Sequence, residues 1–143
     1  MTLKELSQLY YLNREIESDR ERLARLRARV LSYGTPDLSG MPKGNSGDNR
    51  LERLIAEIVD LEAIISAKEL QCVHEKSRLE RYIADIPDSL TRQIFTLRFS
   101  EGQSWIKAAM TIGGGNTEDG IRQRVYRYLK AEKMSQNVRS DVL

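Results

Sequence analysis

With 143 residues and a formal net charge of +2, the chain is sized for one domain or two small ones, and its overall charge singles out no class of partner. Its charged content of 31% and its three prolines favour long solvated helices over strands. A single cysteine, Cys72, excludes an internal disulfide framework. The lack of a secretory signal, and of any apolar run near the roughly 20 residues that span a bilayer, predicts a cytoplasmic protein with no membrane partner.

A long helix is predicted from about residue 3 to about residue 33, because apolar residues recur there at alternating spacings of three and four. This heptad seam, which Asp19 interrupts, consists of Leu9, Leu12, Ile16, Leu23, Leu26, Val30 and Tyr33. Gly34 is placed to end the helix in a left-handed conformation, and Pro36 prevents its continuation. Residues 34–48, which are rich in glycine, then form a linker.

The periodicity resumes in a second long helix, with Asp48 or Asn49 as its N-cap. Pro87 disfavours helical geometry at the preceding residue, so this helix should end near Ile86. Its seam consists of Leu51, Leu54, Ile58, Leu61, Ile65, Cys72, Leu79, Tyr82 and Ile86, with polar interruptions at Lys68 and Glu75.

The two helices are expected to pair antiparallel, which makes residues 1–86 a hairpin and oligomerisation domain. In the register of the two seams, Asp19 and Lys68 fall in adjacent layers. They are close enough for a half-buried ion pair, although both side chains can instead extend to solvent. Such a pair contributes specificity of register rather than stability.

The second helix has further apolar residues beside its seam, namely Ile55, Val59, Ile64, Val73 and Ile83. A stripe of this width indicates contact with more than one neighbour. We therefore expect self-association, most simply a twofold homodimer that forms a four-helix bundle, or a higher homo-oligomer.

Three short helices are predicted in residues 87–134, with N-caps at Asp88, at Ser104, and at Asn116 or Thr117. The small residue Ala109 lies in the middle helix, where a helix-turn-helix needs close approach to the third helix. An unrelated three-helix bundle is the alternative. Residues 135–143 are left as a C-terminal tail. The predicted fold is all-α: a long antiparallel helical (coiled-coil) hairpin followed by a trihelical helix-turn-helix.

Residues 86–130, "IPDSLTRQIFTLRFSEGQSWIKAAMTIGGGNTEDGIRQRVYRYLK", resemble region four of bacterial sigma factors in the order of a leading proline, an "EG.S" turn and an "IRQ"-type recognition helix. The whole chain resembles phage- and prophage-encoded late transcriptional regulators of the ArpU/RinA type. "LSGMP" at residues 38–42 and "LRF.EG.SW" at residues 97–105 are the motifs shared with that group. The resemblance implies a regulator that binds double-stranded promoter DNA in the cytoplasm of a bacterial host.

The resemblance also implies which residues bind DNA. The start of the third helix, with Glu118, Asp119, Arg122 and Gln123, would meet base edges in the major groove, with Arg122 on guanine and Gln123 on adenine. Phosphate contacts are expected from some of the remaining basic residues and from two hydroxyl groups, a set comprising Arg98, Ser104, Lys107, Thr117, Arg124, Arg127 and Lys130. Acidic Glu118 and Asp119 depart from the pattern, and they either accept from cytosine or interact with the helix N-terminus.

The stretch from Gly113 to Asn116 occupies the turn before the third helix and is longer than the sigma pattern by one or two residues. Glycine tolerates the positive φ angles that such a turn needs, so the turn should form with reduced rigidity. Phe99 and Trp105 are expected in the core rather than on bases.

No metal, cofactor or catalytic site is expected, because the one cysteine and one histidine, Cys72 and His74, give neither a ligand set nor a nucleophile–base pair. Two alternatives to a transcriptional regulator stay open. One is a terminase-like small DNA-packaging protein, and the other is an interaction module that binds host RNA polymerase without touching DNA.

Overall fold

The computed structural model describes residues 1–33 and 46–142, which are helical throughout their regular structure and contain no strand. The predicted all-α class is therefore confirmed for these residues. The helices are α1 (Leu3–Leu6), α2 (Gln8–Tyr33), α3 (Ser46–Ala84), α4 (Ser89–Phe95), α5 (Trp105–Ile112) and α6 (Glu118–Val142), with a π-helical turn at Thr96–Ser100. The predicted helix end at Gly34 and the linker as far as residue 45 lie outside the described residues.

The N-terminal helix is interrupted once. The Thr2 hydroxyl oxygen accepts from the Glu5 N–H, and the Glu5 carboxylate accepts from the Thr2 N–H, so the two residues cap the start of α1. Helix α1 ends at Leu6. At Ser7 the hydroxyl group donates to the Leu3 carbonyl at 2.9 Å, and α2 starts at the next residue. The helix predicted from about residue 3 to about residue 33 is therefore present with one irregular residue, Ser7, at which the backbone N–H still donates to the Leu3 carbonyl at 3.0 Å.

The described residues between Leu12 and Gln71 form one compact unit, in which α2 and α3 run antiparallel. Arg20 contacts Glu69 at 2.5 Å and Arg27 contacts Glu62 at 2.8 Å, so the partner number falls as the α2 number rises. The seam residues that are buried here are Leu12, Ile16, Leu23, Leu26, Leu61 and Ile65. The two predicted seams thus meet in this unit.

Asp19 and Lys68 form the ion pair that their register allows. The Lys68 ammonium lies 2.6 Å from the Asp19 carboxylate and 3.5 Å from that of Glu15. Both side chains of the closer pair are half-buried, at 27% and 19% exposure. The hydrogen bond to Asp19 raises the pKa of Lys68. Pairing is therefore confirmed over extension of both groups to solvent.

Met1–Tyr11 and Cys72–Leu143 form the other compact unit. Its apolar core consists of Leu6, Leu9, Leu79, Ile83, Ile86, Ile94, Phe95, Phe99, Ala108, Ala109, Ile121 and Val125. The fully buried Phe95 ring lies within 5.3 to 6.2 Å of the rings of Phe99, Tyr128 and Tyr82, measured between centroids. Phe99 is in the core as predicted, and Phe95 is a second, fully buried aromatic residue at its centre.

The helix after Pro87 widens partway along its length. Asp88 is its N-cap as predicted, accepting from the Thr91 N–H at 3.0 Å. Regular α4 ends at Phe95, and a π-helical turn continues to Ser100. A π turn has one more residue than an α turn, so it shifts which later residues face the core.

Long helix α3 begins at Ser46 rather than after the predicted caps Asp48 or Asn49, which lie inside it. Several residues in this stretch favour a helix start, so the pattern does not choose between them. Of the predicted second stripe, Ile83 is buried in its own chain. The other members, Ile55, Val59, Ile64 and Val73, are all exposed.

Helix α6 is longer than expected. It runs without a break from Glu118 to Val142, so residues 135–142, expected to form a tail, have helical backbone. Only Ile121 and Val125 of this helix are fully buried, and residues 133–142 are all exposed. The Tyr82 hydroxyl donates to Glu132 at 2.5 Å, and burial of that ring raises the pKa of Tyr82.

Candidate nucleic-acid interface

Hydroxyl groups stand at the N-termini of both α5 and α6. Ser104 Oγ accepts from the Lys107 N–H at 3.1 Å, and Thr117 Oγ1 accepts from the Gly120 N–H at 3.1 Å. Thr117, rather than Asn116, is therefore the cap of α6. Each hydroxyl uses an oxygen lone pair for the cap and keeps its hydrogen for an outside acceptor. Ser104, Thr117 and Lys107 are all exposed.

The turn between α5 and α6 contains three successive glycines with positive φ, at +66° for Gly113, +62° for Gly114 and +79° for Gly115. The Gly113 N–H donates to the Ala109 carbonyl at 3.0 Å and closes α5. The Gly113 carbonyl then accepts from the backbone N–H of Asn116 at 3.2 Å and from its side-chain amide at 2.8 Å. Asn116 thus closes the turn around one carbonyl group.

Small residues allow α5 and α6 to approach closely. Ala108 and Ala109 of α5 are buried in the same core cluster as Ile121 and Val125 of α6. Each alanine places only a methyl group between the two helices, so the first two turns of α6 can pack directly against α5. The orientation of its opposite side follows from that packing.

The opposite side of α6 is exposed. On a helix of 3.6 residues per turn, the exposed side chains that lie opposite Ile121 and Val125 include Asp119, Gln123, Tyr126, Arg127 and Lys130. We call this set the outer face of α6. It offers two cations, an amide and a phenol, groups that bind phosphates and base edges.

Arg122 lies at the edge of the outer face and contacts both acidic residues of the first turn. Its Nη2 is 2.5 Å from Asp119 Oδ1, and its Nη1 is 3.9 Å from Glu118 Oε1. Gln123 accepts from Arg127 at 3.1 Å. The predicted base-reading residues are therefore adjacent on α6, but each already has a partner within the helix.

Arg124 points away from the outer face. Its Nη2 lies 2.9 Å from Asp88 Oδ2, and its Nε donates to Thr91 Oγ1 at 3.2 Å. The hydrogen bonds from Thr91 and Arg124 lower the pKa of Asp88 from 3.8 to about 2. Arg124 thus links α6 to the N-terminus of α4.

Arg98 is also engaged within the chain. It donates to the Gln103 carbonyl at 3.0 Å, and its guanidinium carbon lies 4.7 Å from the centre of the Trp105 ring. Trp105 in turn packs edge-on against Phe99. Arg98 therefore stabilises the turn before α5 instead of standing free for phosphate.

Tyr126 is the residue of the outer face that the sequence analysis missed. Its side chain is 46% exposed, and it follows Gln123 by three positions and Arg122 by four. Residues at these spacings are neighbours on a helix surface. The same spacing is visible in the sequence, where Tyr126 follows Gln123 by three positions.

Comparisons of the chain with protein-family models, curated protein sequences and solved structures return no match in any of the three sets. The family resemblance therefore depends on the motifs of residues 38–42 and 86–130. Among the described residues, none of the helices combines the length and apolar character needed to cross a membrane. That part of the chain also contains no group of three or more His, Cys, Asp or Glu side chains placed to share a metal ion.

Proposed function

We propose that this chain is a sequence-specific DNA-binding protein, a transcriptional regulator of a phage or prophage, with α5 and α6 as its helix-turn-helix. The observation that supports this most is the two-sided character of α6. One side is fixed in the core by Ile121 and Val125, and the other presents the outer face to solvent. A recognition helix needs both properties, because it must be held rigidly while its first turns enter the major groove.

The assignment of roles on α6 follows from distance along the helix. Gln123 and Arg122 lie in the first two turns, where a recognition helix reaches base edges. Arg127 and Lys130 lie one to two turns farther on, where side chains rise toward the phosphate backbone. Among the described residues, Arg127 has one hydrogen-bond partner, the neutral amide of Gln123, so its positive charge is not neutralised there and can bind a phosphate.

Phosphate contacts on the other side of the groove fit the N-terminal ends of the two helices. Lys107 is exposed in α5, and the hydroxyls of Ser104 and Thr117 stand at helix starts. Free backbone N–H groups and the positive end of the helix dipole favour anions there. These contacts position α6 without reading sequence.

The protein is proposed to act as a dimer. Ile55, Val59 and Leu70, which share one side of α3 at 3.6 residues per turn, are 46 to 60% exposed although they are large and apolar. A second copy that covered them would remove this apolar surface from water. A dimer presents two α6 helices, so the DNA site should contain two half-sites.

Binding can be tested by selecting sites from a random duplex library and measuring fluorescence anisotropy on the selected site and on a scrambled one. The variant Arg127→Ala/Lys130→Ala should weaken binding to both duplexes, because both residues are assigned to phosphates. Arg139→Ala is the matched control, since Arg139 is exposed near the far end of α6. Equal loss in the control and the double variant, or no enrichment of any sequence, would argue against the proposal.

Two further measurements separate the alternatives. A ring of many subunits by native mass would favour a packaging protein, as terminase-like small subunits assemble that way, whereas a dimer favours regulation. A pull-down of RNA polymerase that survives Arg122→Ala and Gln123→Ala, together with no DNA binding, would favour the interaction module.

A further inference from the structure

We propose that Asp119 is a specificity-determining residue that acts through Arg122. It holds the Arg122 guanidinium on the DNA-facing side of α6 and keeps it from serving as a general phosphate contact. This inference rests on the proposed DNA binding and assigns a role to a residue that otherwise opposes it. The DNA group that Arg122 then binds is the neutral acceptor edge of a guanine.

On the helical geometry Asp119 belongs to the outer face, whereas Arg122 lies at its edge. Arg122 Nη2 lies 2.5 Å from Asp119 Oδ1. This contact therefore holds the guanidinium over the outer face of α6. The Asp119 side chain is 75% exposed and that of Arg122 is 38% exposed, so the pair lies at the surface. A surface pair of this kind is weak in water and can open.

The two acidic residues distinguish between the acceptors that DNA offers. A phosphate oxygen is anionic, and Asp119 together with Glu118, which is 3.9 Å from Arg122, repels it. Guanine O6 and N7 are neutral, and they form a pair of acceptors that matches two donors of a guanidinium. Arginine has five N–H donors, so it can bind guanine while still bonded to Asp119.

Arg127 provides the contrast on the same helix. Its bonded partner is the neutral side chain of Gln123, at 3.1 Å, and no carboxylate contacts it among the ion pairs found in the described residues. Arg127 is therefore suited to phosphate, and Arg122 to guanine. Two arginines five positions apart thus differ in role because of their neighbours.

The test compares Asp119→Asn with Asp141→Asn, which removes the same charge from the far end of α6. Binding of each variant to the selected site and to a scrambled duplex is measured by anisotropy, with circular dichroism to verify that helix content is unchanged. Asp119→Asn should raise the affinity for the scrambled duplex by about two- to fivefold and the affinity for the selected site by less. The ratio of the selected-site affinity to the scrambled-duplex affinity should therefore fall. Asp141→Asn lies more than a Debye length away and should change both affinities by less than about twofold.

A third arm isolates the dependence on Arg122. In an Arg122→Ala background, Asp119→Asn should still tighten binding to both duplexes, because it removes a charge that repels phosphate. It should no longer change the ratio of the two affinities, because the pair with Arg122 is already broken. Equal specificity ratios for Asp119→Asn and wild type overturn the inference and leave the DNA-binding proposal intact. If the wild-type chain enriches no sequence and binds no duplex at low salt, both fail.

Discussion

Three arginines of α6 show how little a basic residue's charge says about its role. Arg122 contacts the acids of its own first turn, Arg124 contacts Asp88 at the start of α4, and Arg127 donates a hydrogen bond to the neutral Gln123. All three have the same charge in the sequence. Their partners make Arg122 the candidate for base recognition, Arg124 a structural link and Arg127 the candidate for phosphate binding.

The link between Asp88 and Arg124 predicts a pH-dependent loss of stability. The pKa of Asp88 is lowered from 3.8 to about 2, so the carboxylate stabilises the folded chain above about pH 4. That contribution is lost as the pH falls from about 4 to about 2, through the folded-state pKa. Asp88→Asn should lower the Tm near neutral pH, and its deficit relative to wild type should shrink across this range.

Thermal melts followed by circular dichroism measure this effect. Asp141→Asn serves as the control, since it removes a carboxylate from the exposed end of α6. A deficit for Asp88→Asn that stays constant from neutral pH to about pH 2 would show that Asp88 does not act through its ionised form.

The division of roles along α6 predicts two kinds of DNA-binding defect. Arg122→Ala should cost about 1–3 kcal/mol on the selected site and relax preference at one base pair. Lys130→Ala should weaken all duplexes alike and make the salt slope shallower by about one unit. Salt-dependent anisotropy on selected and scrambled duplexes distinguishes the two patterns. An equal loss on both duplexes for Arg122→Ala would remove this residue from base recognition.

In the turn between α5 and α6, glycine is required by the backbone conformation and not by a lack of room for a side chain. A side-chain carbon added at Gly115 would meet no atom within 4 Å, but the φ of +79° disfavours any L-residue. Asparagine tolerates positive φ better than a β-branched residue does. Gly115→Val should therefore destabilise the unit by about 1–2 kcal/mol, and Gly115→Asn by less.

Chemical denaturation gives both free energies of unfolding for this turn. Equal losses for the valine and asparagine variants would mean that φ is not the cause. A loss in the valine variant accompanied by a changed slope against denaturant would indicate that the unfolded or native state had changed its compactness.

The heptad seams were the part of the fold that sequence could predict, since Leu12, Ile16, Leu23 and Leu26 are buried as their spacing requires. Phe95 could not be found in this way. Phe95 lies in regular α4 directly after Ile94. A spacing pattern with one apolar face selects one of two adjacent residues, whereas both are buried here. The candidate DNA-binding residues were chosen by position on α6. Position could not reveal that Asp88 and Thr91, more than thirty residues earlier, bind Arg124.

For the whole molecule, each compact unit has its own buried residues, and the apolar surface left on α3 predicts self-association. Val59 and Leu70 are 58% and 60% exposed, and neither is needed to fill the core of its unit. Val59→Glu/Leu70→Glu should therefore yield a monomer with unchanged helix content. Light scattering at micromolar concentration measures the mass.

Leu31→Glu is the matched control for the dimer, because Leu31 is 76% exposed but lies on α2. It should leave the dimer intact. A wild-type chain that is monomeric at micromolar concentration would contradict the prediction. If Leu31→Glu dissociated the dimer to the same extent, the dimer contact would not be specific to the exposed side of α3.

Helix α6 has a mechanical consequence. It is one unbroken rod of 25 residues, or about 37 Å at 1.5 Å per residue, and its first turns are clamped by the core. Gln123 and Met134 are eleven residues apart on it, roughly 16 Å. Because a helix resists bending and twisting, Met134 and Val138 keep a set direction relative to the first two turns, which the core holds. A molecule bound to the exposed second half of α6 would therefore lie at a defined distance from Gln123 and Arg127.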